Sequence, residues 1–251
     1  MFFLIVYFFT IGSVLGSFYN VAGLRIPLKK SIVKPRSQCP FCTKTLGPHE
    51  LIPVVSYLLQ RGKCRRCGST IHYKYPLIEL TTGALFAYCF YKWGFNYELF
   101  VALTFVSLLV IILVSDITYM VIPDKVLLFF LPILAIERML VPLTPWWDSI
   151  WGAVFGFSLL LLIAIVSKGG MGGGDIKLFF LIGIVLGLKL TLLAFFLSTL
   201  FGALAGIAGI IIGRVKKRQP IPFGPFIVAG SLTAYFYGWD LLSIYMNLLL
   251  K

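Results

Sequence analysis

Nine Asp or Glu side chains occur in a chain of 251 residues that is 59% hydrophobic. An acid placed in hydrocarbon costs on the order of 2.5 to 3.5 kcal/mol on insertion scales, so any carboxylate bordering an apolar stretch needs a reason. Glu98, Glu137, Asp148 and Asp240 fall at or beyond outer segment ends, where water solvates them. Glu79 lies one turn into the second apolar segment, Asp116 ends the third, Asp124 precedes the fourth and Asp175 directly precedes the sixth. Asp175 closes the run Gly169-Gly170-Met171-Gly172-Gly173-Gly174-Asp175, whose five glycines in six positions predict a bent or extended backbone rather than helix. Irregular backbone at membrane depth is tolerated only in a protein interior or against a water-filled cavity. Two carboxylates brought to about 3 Å share a proton; the charged one can activate water while the protonated one donates to a carbonyl oxygen. Asp116 and Asp175 could therefore hydrolyse an amide. The competing reading of the same motif is a glycine-rich packing joint with Asp175 as a helix cap. Asp124, after Ile122-Pro123, reads as a helix N-terminal cap rather than a catalyst.

The second set of chemical residues is Cys39-Pro40-Phe41-Cys42 and Cys64-Arg65-Arg66-Cys67, two Cys-x-x-Cys pairs separated by 21 residues. That is zinc-ribbon spacing, in which four thiolates close a tetrahedron. A four-sulfur site has no open position, so Zn2+ would be structural and would fold a loop with few apolar residues of its own. Five cysteines are too few for a disulfide scaffold in this length, and a reducing compartment disfavours the bonds. Cys89 reads as packing, and His49 and His72 as solvated loop side chains.

The elements that must position these groups are membrane helices. Charged residues are only 12% of the chain, about half the usual ~25%, and 23 Phe, 12 Tyr and 5 Trp rule out disorder. The first 24 residues carry no charge and lack the basic start of a secretory signal, so they read as a retained span. Further apolar stretches at roughly 76–91, 99–115, 126–142, 149–166, 176–188, 190–213 and 223–240 bring the expectation to an all-α polytopic membrane protein of about eight transmembrane helices. Between residues 25 and 75 stand eleven Lys or Arg against Glu50 alone, which places this loop in the cytoplasm. With a hairpin at Lys189, eighteen basic residues, including Arg214, Lys216, Lys217 and Arg218, face inward and four (Lys92, Arg138, Lys189 and Lys251) face outward. The expected organisation is a first helix at 1–24, a cytoplasmic zinc-ribbon-like loop at 25–75 and a seven-helix membrane domain at 76–251. The net charge of +13 is thus mainly a topology signal, and no nucleic acid is expected.

The chain resembles the bacterial prepilin peptidases, or type IV leader peptidases, over nearly its whole length. The resemblance rests first on Gly172-Gly173-Gly174-Asp175-Ile176-Lys177-Leu178, together with Asp116 and the turn Ile122-Pro123-Asp124 that follows it. Other segments agree: Gly16-Ser17-Phe18-Tyr19-Asn20-Val21 with Arg25 and Pro27, Ser37 through Cys42, Gly62 through Cys67, Tyr75-Pro76 with Glu79-Leu80, and Pro222-Phe223-Gly224-Pro225-Phe226. By position, the resemblance implies that Asp116 and Asp175 are the catalytic pair and Cys39, Cys42, Cys64 and Cys67 the zinc ligands. It implies a multi-pass enzyme of the bacterial cytoplasmic (inner) membrane that cuts the leader of type IV prepilins or pseudopilins after a glycine, at the cytoplasmic face. In many members the new N-terminus is then methylated with S-adenosylmethionine, and the cysteine loop resembles those bifunctional members. No Gly-x-Gly-x-x-Gly follows a predicted strand, so the methyl-donor site is assigned only to the loop and the neighbouring span ends. The loop's net +10, eleven basic residues less Glu50, suits anionic lipid headgroups.

Three other readings compete. A presenilin-type intramembrane protease also uses Gly-x-Gly-Asp, but its Tyr-Asp and Pro-Ala-Leu partner motifs are missing. An ion-coupled membrane transporter could use the paired aspartates at a glycine-broken helix, and would be expected to show inverted repeats. A non-catalytic anchor for a zinc-ribbon module leaves the Gly-rich Asp loop unexplained.

Overall fold

A computed structural model describes residues 1–168, 170–213 and 221–249. Gly169, Lys251 and the Arg214, Lys216, Lys217, Arg218 cluster lie outside the described residues. The described chain is helical: α1 Phe2–Arg25, a 3-10 turn Pro48–Glu50, α2 Val55–Leu59, α3 Lys74–Trp93, α4 Tyr97–Tyr119, α5 Asp124–Leu140, α6 Asp148–Val166, α7 Gly173–Ile211 and α8 Gly224–Leu249. Four of them, α1, α4, α6 and α7, are long and apolar enough to cross a membrane. The count of about eight spans rests on adding α3, α5 and α8 and on counting α7 twice. Two compact units make up the chain, Met1–Val114 and Ser115–Lys251.

In the first unit, α1 and α3 meet through glycines. A Cβ at Gly12 would lie 2.7 Å from the Phe86 Cβ, and one at Gly16 would lie 2.9 Å from the Thr82 Cβ. Gly83 on α3 faces Ser13 and the Phe9 carbonyl. Spacing of i, i+4 puts Gly12 and Gly16 on one face, and small residues there let two backbones approach where lipid provides no hydrophobic drive between helices. The Tyr19 hydroxyl donates to Ser107 Oγ at 2.6 Å, tying α1 to α4 within the same unit.

In the second unit, α7 doubles back. Gly187 has φ 73 and ψ 178, which breaks the helix, and the rings of Phe179 and Phe195 lie 6.0 Å apart. A continuous helix would separate those rings by about 24 Å. The hairpin expected at Lys189 therefore turns at Gly187. Gly156 on α6 touches both limbs, its Cβ position lying 2.8 Å from the Phe179 carbonyl oxygen and 3.1 Å from Thr191 Cγ2. Breaking a helix strands carbonyls before the break and N–H groups after it. Arg138 serves the carbonyl side, donating from Nε and Nη2 to Val185 O at 3.1 and 2.8 Å. Asp148 serves the other, accepting the Leu188 N–H at 3.2 Å. The sequence alone counts Arg138 among the outward-facing charges and Asp148 among the solvated acids at outer segment ends, whereas Arg138 is buried.

Candidate active site and metal centre

Asp116 sits in the last full turn of α4, which closes where Met120 takes φ 54 and donates its N–H to Asp116 O at 2.9 Å. Its side chain is buried, and Oδ2 accepts the N–H of Gly224 at 2.7 Å. Gly224 is the first residue of α8, where backbone donors have no partner inside the helix and a carboxylate meets the positive end of the dipole.

Asp175 reaches the same place from the start of α7. Gly172 is extended (φ −70, ψ 137) and precedes the first helical residue, so Asp175 occupies the third position and its carboxylate accepts the Gly172 N–H. The irregular glycine run is shorter than expected, because Gly173 and Gly174 already belong to the helix. A Cβ at Gly174 would lie 2.7 Å from the Ile122 Cβ, so close packing against the turn after Asp116 requires glycine there. Asp116 and Asp175 are near enough for the charge of one to act on the other.

Asp124 does not cap α5. The N-cap is Pro123, Asp124 is the first helical residue, and its Oδ2 accepts Lys177 Nζ at 2.8 Å. Both partners are more than half exposed, so the pair contributes at most about 1 kcal/mol.

Residue chemistry alone does not mark Gly224, since it meets Asp116 through a backbone N–H. A Cβ there would lie 2.6 Å from Asp116 Oδ2. Gly224→Ala should displace the carboxylate while favouring helix, and a misplacement of about 1 Å can cost about 100-fold in rate. Leader cleavage by the variant at matched protein level measures this; a near wild-type rate would remove Gly224 from the site.

The four cysteines of the loop converge. Their Sγ atoms all lie within 4.8 Å of one another, with Cys39 to Cys67 at 3.8 Å and Cys42 to Cys64 at 3.9 Å. Two turns of the same form build the site: Cys39 N–H donates to Lys44 O and Cys64 N–H to Ser69 O, flanked by the bridges Gln38–Thr45 and Lys63–Thr70. Each turn needs a left-handed residue four positions after its first cysteine, Thr43 (φ 54) in one and Gly68 (φ 69) in the other. The backbone N–H groups of Cys42 and Phe41 pull the Cys39 thiol down to about 6, whereas the Cys42 thiol beside it is pushed up to about 11. All four cysteines are free thiols, and the cluster could hold a metal ion.

Residues 10–93 match the bacterial Peptidase A24 N-terminal domain, and residues 103–207 match the type IV leader peptidase family. The prepilin leader peptidase/N-methyltransferase of Bacillus subtilis (strain 168) is 52% identical over 242 residues, covering 96% of this chain and 98% of that protein. The protein of that name from Myxococcus xanthus is 37% identical over 222 residues, covering 85% of this chain and 65% of its own. That from Pseudomonas aeruginosa is 30% identical over 265 residues, covering 94% and 91%. No solved structure matches the chain. The first matched segment holds all four clustered cysteines and the second holds both neighbouring aspartates, and with a full-length relative at this identity the chain belongs to the type IV leader peptidase family.

Proposed function

We propose that this protein is a membrane aspartic endopeptidase that removes the leader of type IV prepilins or pseudopilins and then methylates the new N-terminus. The observation that carries the reading is the placement of Asp116 and Asp175 at two helix ends, near enough for the charge of one to act on the other, in a chain whose relatives are named prepilin leader peptidase/N-methyltransferase. The pair divides the labour of hydrolysis. One carboxylate takes a proton from water as its oxygen attacks the scissile carbonyl carbon, and the other donates to the carbonyl oxygen. A proton then passes to the amide nitrogen as the C–N bond breaks. The eleven basic residues between 25 and 75 support a cytoplasmic position for the loop and, by crossing parity, for both aspartates. A prepilin leader is polar and the following helix apolar, so a site at the membrane boundary selects the junction by depth.

Zinc is the metal the cysteine cluster fits. A tetrahedron with Zn–S bonds of about 2.3 Å requires S···S separations of about 3.8 Å, close to the 3.8 and 3.9 Å between facing thiols. Four sulfurs leave no open position, so the ion holds the loop together and takes no part in hydrolysis. S-adenosylmethionine supplies the methyl group of the second reaction. Family membership leaves the ion-coupled transporter alternative without support.

Purified protein incubated with a prepilin and S-adenosylmethionine should yield a shortened pilin with a methylated N-terminus, read by mass spectrometry. An uncut substrate would overturn the peptidase reading, and a cut but unmodified one the methylation reading.

A further inference from the structure

Residues 120–123 join α4 to α5 without regular structure. Two hydrogen bonds fold this strap back onto the end of α4: Met120 donates its N–H to Asp116 O at 2.9 Å, and Ser115 donates from Oγ to Val121 O at 2.5 Å. The second bond departs from what serine does elsewhere in this chain. Ser13, Ser107 and Ser198, also buried in helices, each donate to the carbonyl four residues before them, the usual helical back-bond. Ser115, fully buried, instead reaches six residues forward. At its far end the strap meets α7. Ile122, next to Val121, is buried, and a Cβ at Gly174 would lie 2.7 Å from the Ile122 Cβ and 3.4 Å from its Cγ2. A β-branched side chain is stiff at χ1 and glycine has no side chain, so no change of rotamer between the two can absorb a displacement.

Resting on the peptidase reading above, we propose that Ser115 is a positioning residue for leader cleavage: its hydroxyl fixes the strap, and the strap fixes the separation of the two carboxylates. Ser115 immediately precedes Asp116, and Ile122 abuts Gly174, the residue immediately before Asp175. The line of contact runs from the Ser115 hydroxyl through the Val121 carbonyl and Ile122 to Gly174, all within the unit Ser115–Lys251. Without the hydroxyl, Val121 and Ile122 are free to move off α4, and Gly174 and Asp175 lose the surface they rest on. One carboxylate has to take a proton from water while the other keeps its own, so the reaction depends on their spacing. Asp124 and Lys177 add a second tie between the strap's end and α7, but an exposed and therefore weaker one. Ser115 itself exchanges no proton with the substrate.

The test uses full-length, zinc-loaded protein in detergent cutting a prepilin, with rates expressed per folded protein. Ser115→Ala and Ile122→Ala should each lower kcat about 10- to 100-fold at unchanged KM, and Ile122→Val, which keeps the branched carbon, should stay within about threefold of wild type. The double Ala variant should be no slower than the slower single one, since both changes act through one spacing. The pH–rate profile separates positioning from mere loosening of the fold. Two interacting carboxylates titrate as a pair in two separated steps, so a pair moved apart should give a narrower bell. A partly inactive protein would lose height and keep its width, and the Asp124–Lys177 pair is present in every protein compared. A Ser115→Ala enzyme within about threefold of wild type, a slow one with the wild-type bell width, or losses that multiply in the double variant would each overturn the proposal. Should Ser115→Ala not fold, the bell widths of Ile122→Ala and Ile122→Val decide it in the same way. A wild-type protein that leaves prepilin uncut would overturn the peptidase reading and this one with it, whereas the outcomes above leave that reading standing.

Discussion

Asp116→Asn and Asp175→Asn should each lower leader cleavage by about 10²- to 10⁴-fold, the range contributed by a positioned acid or base. In Asp116→Asn the amide oxygen could still accept the Gly224 N–H that Asp116 accepts at 2.7 Å, so the start of α8 keeps its partner and the loss is chemical. In Asp175→Asn the amide oxygen could likewise still accept the Gly172 N–H. The double variant should be about as inactive as either single one, because groups acting as a unit give non-additive losses. Asp124→Asn should cost little, since it removes only an exposed pair with Lys177. Rates compared at matched protein level decide the matter. A well-expressed Asp175→Asn enzyme that processes prepilin at near wild-type rate would show that the dyad is wrongly assigned, as would a dead Asp124→Asn beside an active Asp116→Asn.

One zinc per chain should copurify with the protein, and Ser in place of any one of Cys39, Cys42, Cys64 or Cys67 should deplete it. Binding at structural zinc sites is worth about 10 to 16 kcal/mol and doubles as folding energy. The segment between α1 and α3 has only α2 and a 3-10 turn as regular structure, so losing the ion should open it to proteolysis. Elemental analysis and limited proteolysis read the two effects. A washed protein without zinc, or a quadruple Cys→Ser variant with normal protease resistance, would refute the assignment. Cleavage should survive in part, because both aspartates lie in the unit Ser115–Lys251.

What is legible in the sequence is local or expensive. Each cysteine turn is closed by a short-range hydrogen bond, Cys39 to Lys44 in one and Cys64 to Ser69 in the other, so its spacing is visible in the string itself. Carboxylates at membrane boundaries are costly, and that cost narrows the nine acids to Glu79, Asp116, Asp124 and Asp175. The apolar runs mark the helices for the same reason, and charge balance alone suggests the hairpin that turns at Gly187.

The rest depends on partners far away along the chain. Gly224 meets Asp116 across 108 residues, and its part is played by an N–H that every residue but proline carries. Lys177 meets Asp124 across 53 residues, so the string shows Pro123-Asp124 as a cap and hides the ion pair. Local propensity misjudges Gly173 and Gly174, which cost a helix about 1 kcal/mol each. At Gly174, packing against Ile122, where a Cβ does not fit, outweighs that cost.

The break at Gly187 leaves a first limb shorter than a bilayer's hydrocarbon is thick. Residues 173–186 of α7 extend about 21 Å at 1.5 Å per residue, whereas a bilayer's hydrocarbon is about 30 Å thick. The exposed pair of Lys177 with Asp124 shortens the apolar part of that limb further. Hydrophobic mismatch of this size draws the headgroups inward at a cost of fractions of a kcal/mol per Å. On the proposed mechanism, water and the scissile bond would then meet at Asp116 and Asp175 without the substrate helix leaving the membrane, and acyl-chain length should alter turnover.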